Sequence, residues 1–229
     1  MIGEKRINNM EWTAGKRMVR ETEEIRTQSS FYRVTKRAMD IVGSLVGLVL
    51  FSPVFLVTAI LIHLEDGEPI IFAQDRTGEN GKVFKMYKFR SMRTDAMDMH
   101  QDLIPFNEMD GPVFKMKNDP RVTKVGRVIR RTSIDELPQF LNVLKGEMTL
   151  VGPRPLPTYE MDQCNEYQKQ RLQVKQGLTC YWQCSGRNNI SFDEWVELDL
   201  KYIREASILV DIKILCKTVV YVLKGLGAY

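Results

Sequence analysis

The longest apolar stretch of the chain runs from Ala38 to Ile62 and carries a single charge, Asp40, near its start. In an α-helix, about 25 residues reach about 37 Å, which exceeds the roughly 30 Å hydrocarbon core of a bilayer. Buried helices of soluble proteins rarely run this far without polar residues. The pattern therefore predicts a membrane helix, and the buried helix of a soluble core is the alternative.

Two residues just past the middle of this stretch, Ser52 and Pro53, predict a break in the helix. Proline removes one helical hydrogen bond and presses against the carbonyl of Val49, and a serine hydroxyl can satisfy a freed backbone group locally. Basic residues precede the stretch and acidic residues follow it, so a straight span would place residues 63–229 outside the cytoplasm. A re-entrant helix-break-helix over residues 31–64, with both ends on the cytoplasmic face, avoids this; a kinked span is the alternative.

Shorter periodic segments follow the apolar stretch. Strand-type runs at residues 69–73 and 83–89 flank a turn at 78–81 and predict a β-hairpin. The other predicted elements are a helix over 127–146 interrupted at Pro138, a polar helix over 159–173, a strand over 178–183 and helical spacing over 191–223.

The last of these segments has an apolar stripe beside several lysines. This pattern fits a membrane-surface helix or an amphipathic helix packed on the core. The stripe consists of Ile208, Leu209, Ile212, Leu215, Val219, Val222 and Leu223. We therefore expect a mostly helical α+β fold with amphipathic interfacial helices, divided into a polar leader at 1–30, the membrane helix at 31–64 and a cytosol-facing domain at 65–229.

The composition narrows the classes of function. A hydrophobic fraction of 44% is that of a folded protein, and the net charge of +4 suits nucleic acid, an anionic bilayer or phosphorylated substrates. The chain has no block of like charges and no repeat of aromatic and basic residues, so nucleic acid is not an expected partner. The four cysteines and two histidines do not form a zinc framework, and we expect reduced thiols. No signal peptide is predicted, because the first thirty residues lack an apolar core.

Two adjacent acids, Asp135 and Glu136, are the main candidates for chemistry. Ser133 and Glu136 have capping-box spacing and Pro138 favours a first helical turn, so we expect both acids at a helix N-terminus. The partial positive charge there keeps a carboxylate ionised, as a nucleophile or metal ligand must be. One acid can then attack or bind a metal while the other handles a proton. The alternative is that both only complement the helix dipole.

Arginines at loop-like positions predict a site for phosphates. Arg154 stands between Pro153 and Pro155, whose fixed backbone angles would pre-order its guanidinium for gripping a phosphate. A surface turn is the alternative for this segment. The further loop cations are Arg90, Arg121, Arg130 and Arg187. Beside paired acids and a membrane helix, these cations indicate a site for several phosphates near a bilayer.

Several segments together resemble one known family. They are residues 88–92 (KFRSM), 118–123 (NDPRVT), 131–139 (RTSIDELPQ), 150–155 (LVGPRP) and 182–188 (WQCSGRN). Their order and spacing over about residues 32–229 resemble the bacterial sugar transferases, the monotopic polyprenyl-phosphate phosphoglycosyl transferases. The resemblance implies transfer of a sugar 1-phosphate from a UDP-sugar to polyprenyl (undecaprenyl) phosphate. It places the enzyme on the cytoplasmic face of the bacterial inner membrane, at the first membrane step of surface glycan assembly.

The resemblance also implies residue roles. Asp135 would hold Mg²⁺ and form a phosphosugar-aspartyl intermediate, with Glu136 as its partner in a two-step reaction that releases UMP. Lys88, Arg130 and Arg154 match phosphate-site positions, and Asp199 matches a further functional acid. The resemblance favours the re-entrant arrangement broken at Ser52–Pro53. The chain departs from the family at Gln176, where a proline usually precedes Gly177, and this weakens any inference about the neighbouring pocket.

Two rival interpretations stay open. One is a non-catalytic, membrane-anchored module that binds a nucleotide sugar or anionic lipid; the other is single-step transfer with Asp135 only a metal ligand. Residues 177–182 are similar to the galactose- or glucose-type enzymes more than to those for N-acetylated sugars. The sequence leaves open whether copies of the chain form a homo-oligomer.

Overall fold

The computed structural model describes residues 29–184 and 190–224 of the 229-residue chain. Within them the structure is mostly helical with two small two-stranded sheets, which confirms the predicted α+β class. Most of the predicted leader lies outside the described residues, and so does Arg187.

The apolar stretch forms two helices, α1 (Ser30–Leu50) and α2 (Ser52–Asp66), bent by 59° relative to one another. The break falls at Phe51, and Ser52 and Pro53 are the first two residues of α2. Proline is tolerated there because the first residues of a helix have no intrahelical acceptor for their N–H groups. The Ser52 hydroxyl donates a hydrogen bond to the carbonyl of Val49 at 2.8 Å.

Among residues 29–184 and 190–224, length and apolar composition qualify no helix on its own to cross a bilayer. The bent pair formed by α1 and α2 passes that test when the two helices are taken together.

Polar and small residues on one face of α1 dock this helix on the rest of the protein. Asp40 accepts hydrogen bonds from the Thr149 hydroxyl at 2.9 Å and the Leu150 amide at 2.8 Å. A Cβ atom on Gly47 would lie 2.8 Å from the Phe140 ring, so only glycine allows this close approach. The single charge of the apolar stretch is thus a buried contact of α1.

The predicted hairpin is present. Strands β1 (Ile71–Thr77) and β2 (Val83–Phe89) pair antiparallel, with Phe72 opposite Lys88 and Arg76 opposite Phe84. The turn between them contains Asn80 at a φ of 54°, a left-handed conformation that asparagine tolerates better than most residues. Alternating side chains along β1 face the same side, which matters below because that side borders a cavity.

The remaining elements are short until the last two helices. In chain order they are α3 (His100–Leu103), α4 (Lys124–Arg131), α5 (Gln139–Lys145), β3 (Thr149–Val151), α6 (Thr158–Met161), α7 (Glu166–Lys169), β4 (Gly177–Thr179), α8 (Phe192–Glu205) and α9 (Ile208–Leu223). Single 3-10 turns occur at Glu79–Gly81, Ile104–Phe106, Ile134–Glu136, Gln170–Gln173 and Trp182–Cys184.

The structure corrects three predicted elements. The polar helix expected over 159–173 is divided into α6, α7 and a 3-10 turn, and the strand expected over 178–183 is only β4, followed by another 3-10 turn. The helical spacing over 191–223 is two helices that break at Ala206 and Ser207, where Ser207 caps α9 through its side chain. Side-chain caps at Asn165 and Ser207 begin α7 and α9 and so divide the two segments whose patterns predict continuous helices.

Strands β3 and β4 pair in parallel at the centre of the main core, which α8 and α9 cover. Four members of the stripe predicted on the last helix are exposed, namely Leu209, Ile212, Val219 and Val222. Leu215 packs against the core, beside the buried Asp211 and Ile214. The helix therefore packs on the core, as one of the two interpretations predicted, and leaves part of its apolar stripe exposed.

Candidate active site

The two adjacent acids lie on the 3-10 turn Ile134–Glu136 between α4 and α5. Ser133 adopts a left-handed conformation with φ of 57°, and the amide of Glu136 donates to its backbone carbonyl at 3.2 Å. The predicted capping box is wrong, because no side-chain bond of Ser133 caps this turn. The acids do lie in the first turn of a helix, but that helix is this single 3-10 turn. The α-helix α5 begins only after them, with Pro138 as its N-cap.

Glu136 is held by two cations. Arg154 donates to both of its carboxylate oxygens, with Nη1 at 3.2 Å from Oε2 and Nη2 bonded to Oε1. Lys88 donates to Oε1 from 3.2 Å. In this structure the guanidinium of the Pro-Arg-Pro segment binds a carboxylate at two points, and its binding of a phosphate stays a prediction.

Asp135 has a different environment. Its Oδ2 lies 3.7 Å from the Lys88 ammonium, and its side chain lines an open cavity. Burial raises the pKa of Asp135, and the neighbouring Glu136 charge adds to this, against the pull of Lys88. Burial also disfavours the charged form of Glu136, but Arg154 and Lys88 outweigh it and hold its pKa well below the ordinary range. Opposite pKa shifts in adjacent acids are typical of two separate roles in catalysis.

The cavity beside Asp135 has a volume of about 430 Å³ and an excess of positive charge. Seven cationic side chains line it, against three carboxylic acids. The cations are Arg76, Lys88, Arg90, Arg93, Lys115, Arg121 and Arg130, and the acids are Asp119, Asp135 and Glu160. Such a surplus attracts anions, and the volume is that of a small-molecule site.

Four of the predicted binding cations thus meet at this cavity, and two of them also serve the fold. Arg90 donates to the carbonyls of Asp66 and Gly67, each at 2.8 Å, and so ties the end of α2 to the cavity wall. Arg121 makes a two-point ion pair with Asp119, from Nε at 2.9 Å and Nη2 at 2.7 Å. Lys88 and Arg130 complete the predicted set.

Asp199 lies away from the cavity, behind the Arg154 segment. It forms an ion pair with Arg171, and neither side chain is exposed to solvent. The same Arg171 Nη2 donates to the backbone carbonyl of Arg154 at 2.9 Å. Burial raises the pKa of Asp199 to about 6. Through Arg171, the predicted acid braces the segment that carries Arg154 and touches nothing in the cavity itself.

Sequence reasoning missed three residues at the site: Arg76, Glu160 and Arg171. One signal for Arg76 was available, because period-two alternation along β1 places it on the same face as Phe72 and Gln74. Glu160 and Arg171 carry no comparable signal, because both lie in the segment whose pattern predicts a continuous polar helix.

The residues present fit a magnesium ion. Across the described part of the chain, no three His, Cys, Asp or Glu side chains cluster as a complete metal cage. Mg²⁺ needs only one or two carboxylates when water and substrate phosphates supply its other ligands. Asp135, a carboxylate on the wall of a cationic cavity, meets that requirement.

The family profile and the individual relatives that match this chain agree with one another. The sequence profile of the bacterial sugar transferases matches residues 31–225. The chain is 49% identical to the galactosyl transferase CpsE of Streptococcus agalactiae, over 99% of this chain and 49% of that protein. It is 42% identical to the undecaprenyl-phosphate galactose phosphotransferase of Salmonella typhimurium, over 86% of this chain and 42% of that protein. It is 38% identical to the exopolysaccharide production protein ExoY of Rhizobium meliloti, over 86% and 88% respectively.

The chain thus spans about half the length of the first two relatives and most of the length of the third. The matched region contains both acids, the Pro-Arg-Pro segment and the broken helix. The resemblance drawn from the motifs is therefore confirmed, and the chain belongs to the bacterial sugar transferase family.

Proposed function

We propose that this chain transfers a sugar 1-phosphate from a UDP-sugar to polyprenyl phosphate. The observation that carries the proposal is that two adjacent acids beside a cationic cavity have different environments. Asp135 lines the cavity, whereas Glu136 is bonded to Arg154 and Lys88. The relatives of this chain include an undecaprenyl-phosphate galactose phosphotransferase, which supports the same class of substrates.

The first step is attack of an Asp135 carboxylate oxygen on the β-phosphorus of the UDP-sugar. A bond forms between that oxygen and phosphorus, the phosphoanhydride bond breaks, and UMP leaves with the electron pair. Lys88, 3.7 Å from Asp135, favours the ionised nucleophile and faces the developing charge. Mg²⁺, when bound at Asp135, would supply charge neutralisation for the diphosphate.

The second step returns Asp135 to its starting state. An oxygen of polyprenyl phosphate attacks the phosphosugar-aspartate at phosphorus, and the carboxylate of Asp135 leaves. Glu136 stays ionised between two cations, so its role in this step is to fix Arg154 and Lys88 where the second phosphate arrives. The product is a polyprenyl-diphosphate sugar.

The membrane part of the proposal is a re-entrant insertion of α1 and α2 on the cytoplasmic face of the bacterial inner membrane. The 59° bend and the satisfied Val49 carbonyl at the break support it, as do apolar exposed side chains on both helices. Val46, Val49, Leu56 and Leu64 are each more than half exposed in the protein alone. The exposed stripe on α9 would rest on the same surface.

Purified protein with polyprenyl phosphate, Mg²⁺ and a panel of UDP-sugars tests the proposal through UMP release. UDP-galactose is the first donor to try, because two relatives are named for galactose. With β-phosphate-labelled donor and no lipid acceptor, label should remain on the protein at Asp135. Turnover without protein labelling would favour single-step transfer, and binding without turnover would favour a non-catalytic module.

A further inference from the structure

One wall of the cavity changes from apolar to polar along a single strand. Phe72, Gln74 and Arg76 occupy alternate positions of β1 and all line the cavity. Arg76 lies four positions after Phe72, which is a distance of about 13 Å along the strand. Phe72 stands six residues after the end of α2, whereas Arg76 lies beside the segment that follows Arg154.

The Arg76 end is already organised. Its guanidinium donates to the carbonyl of Pro155 at 3.0 Å and to the Gln74 side chain at 2.7 Å, which fixes its orientation. Its buried Nε has no hydrogen-bond partner among the described residues. An arginine that is held in place and has an unbonded N–H can still donate to an anionic oxygen.

A carboxyl group completes this end of the cavity. Glu160 is buried, lines the same space, and accepts hydrogen bonds from the Phe114 amide and the Tyr159 hydroxyl. Burial raises the pKa of Glu160 to about 7, against the attraction of Arg76. Its carboxyl group lines the cavity, where a hydrogen-bonding group of a ligand can reach it. A ligand group that donates a hydrogen bond to Glu160 would be a hydroxyl or an imide N–H.

We infer that Arg76 and Glu160 form the binding subsite for the UDP-sugar donor, while the Phe72 end of the same strand receives the first apolar segment of the lipid acceptor. Arg76 takes a phosphoryl or carbonyl oxygen of the donor, and Glu160 takes a hydroxyl of the sugar or the imide N–H of the uracil. This inference rests on the proposed function. The lipid enters from the Phe72 side because that end of the strand adjoins the proposed membrane helix.

Steady-state kinetics with each substrate varied in turn provide the test. Arg76→Gln and Glu160→Gln should each raise the KM for UDP-galactose about 10-fold or more and leave the KM for polyprenyl phosphate within about 2-fold. Phe72→Ser should do the reverse. Lys85→Gln, which removes an exposed cation from the same hairpin, should change neither KM. Thermal unfolding checks that each variant is folded, and Arg76→Lys replaces Arg76→Gln if the latter is not.

Inhibition by UMP and by galactose 1-phosphate then separates the two sources of the Glu160 contact. Weaker inhibition of Glu160→Gln by UMP alone places the contact on uracil, and weaker inhibition by galactose 1-phosphate alone places it on the sugar. If both inhibitors act on Glu160→Gln as on the wild type, or if both KM values rise together in Arg76→Gln, the subsite is wrong. A wild-type protein that releases no UMP from any donor would instead overturn the proposed function.

Discussion

Two groups of charged side chains in this protein differ in what they bind. The docking cluster holds α1 against the rest of the chain, and the cavity cluster contains the two adjacent acids and the cations that contact them. The docking cluster consists of Lys36, Arg37, Asp40 and Asp211, and the cavity cluster consists of Lys88, Asp135, Glu136 and Arg154.

In the docking cluster the chain supplies the bonding partners. Lys36 pairs with Asp211 at 2.7 Å and donates to the carbonyl of Val151 at 2.8 Å. Arg37 donates to two carbonyls at the end of α5, each at 2.7 Å. Asp40 and Asp211, the two acids of this cluster, are both buried.

In the cavity cluster, Lys88 and Arg154 both bind Glu136, and the cavity beside the cluster is lined by more cations than acids. Counting Lys88, seven cationic side chains line it against three acids. Charged side chains of the same types therefore have two uses in this protein. Where the chain supplies the opposite charge they stabilise the packing of α1, and where cations exceed acids they form a binding site for anions. Substitutions should therefore separate the clusters: loss of activity with a stable fold in one, and loss of stability in the other.

The largest effect is expected at the nucleophile. Asp135→Asn should lower kcat on the order of 10³-fold or more, because the amide cannot form the aspartyl intermediate. UMP release measures turnover, and thermal unfolding should show a melting temperature close to that of the wild type. Near-normal turnover by this variant would remove Asp135 from the nucleophile role.

Breaking the docking cluster should cost stability. Lys36→Met leaves Asp211 buried without its cation, and the free energy of unfolding should fall by about 3 kcal/mol. Denaturant titration in detergent measures the change. The matched control is Lys85→Gln, which breaks an exposed ion pair with Asp75 and should cost less than about 1 kcal/mol. Equal losses in the two variants would mean that the docking cluster is not a fastener.

The partner acid comes next. Glu136→Gln removes the charge that holds Arg154 and Lys88, and kcat should fall about 10²-fold. Protein labelling by β-labelled donor should still be detectable, because Asp135 is intact. If peptide mapping of the labelled wild-type protein places the label on Glu136, the assignment within the pair is reversed.

A smaller effect is expected when Arg154 is replaced by lysine, which keeps the positive charge but not the planar guanidinium. Arg154→Lys cannot contact both oxygens of Glu136, so kcat/KM should fall about 10-fold, equivalent to about 1.4 kcal/mol. Stability should stay near that of the wild type. A fully active Arg154→Lys protein would show that the two-point clamp is not needed.

The smallest shift is expected in membrane topology. Single cysteines at positions 3, 68 and 229, in a background without the four native cysteines, should all be protected from an impermeant reagent applied to intact cells. Pro53→Ala removes the proline from the break and should shift a minor fraction of molecules towards spanning, seen as labelling at position 68 but not at position 3. Labelling of position 68 in the protein that retains Pro53 would mean that the apolar segment crosses the bilayer.

Local pattern predicted those features that depend on neighbours in the chain. The break at Ser52–Pro53 and the β1–β2 hairpin follow from proline chemistry, turn residues and alternation, and both are present. The capping box at Ser133 is absent: Ser133 itself adopts a left-handed conformation, and the α-helix begins only after Pro138.

The sequence by itself determined the family, the broken apolar segment and the identity of the two acids, because each is encoded in contiguous residues. Only the tertiary structure decided which charges are neutralised. It buried Asp199 against Arg171 behind the Arg154 segment, and it brought Arg76 and Glu160, 84 positions apart, to one cavity. A contact between distant segments leaves no period in the sequence, and burial, which sets the pKa of a carboxyl group, exists only once those segments have packed.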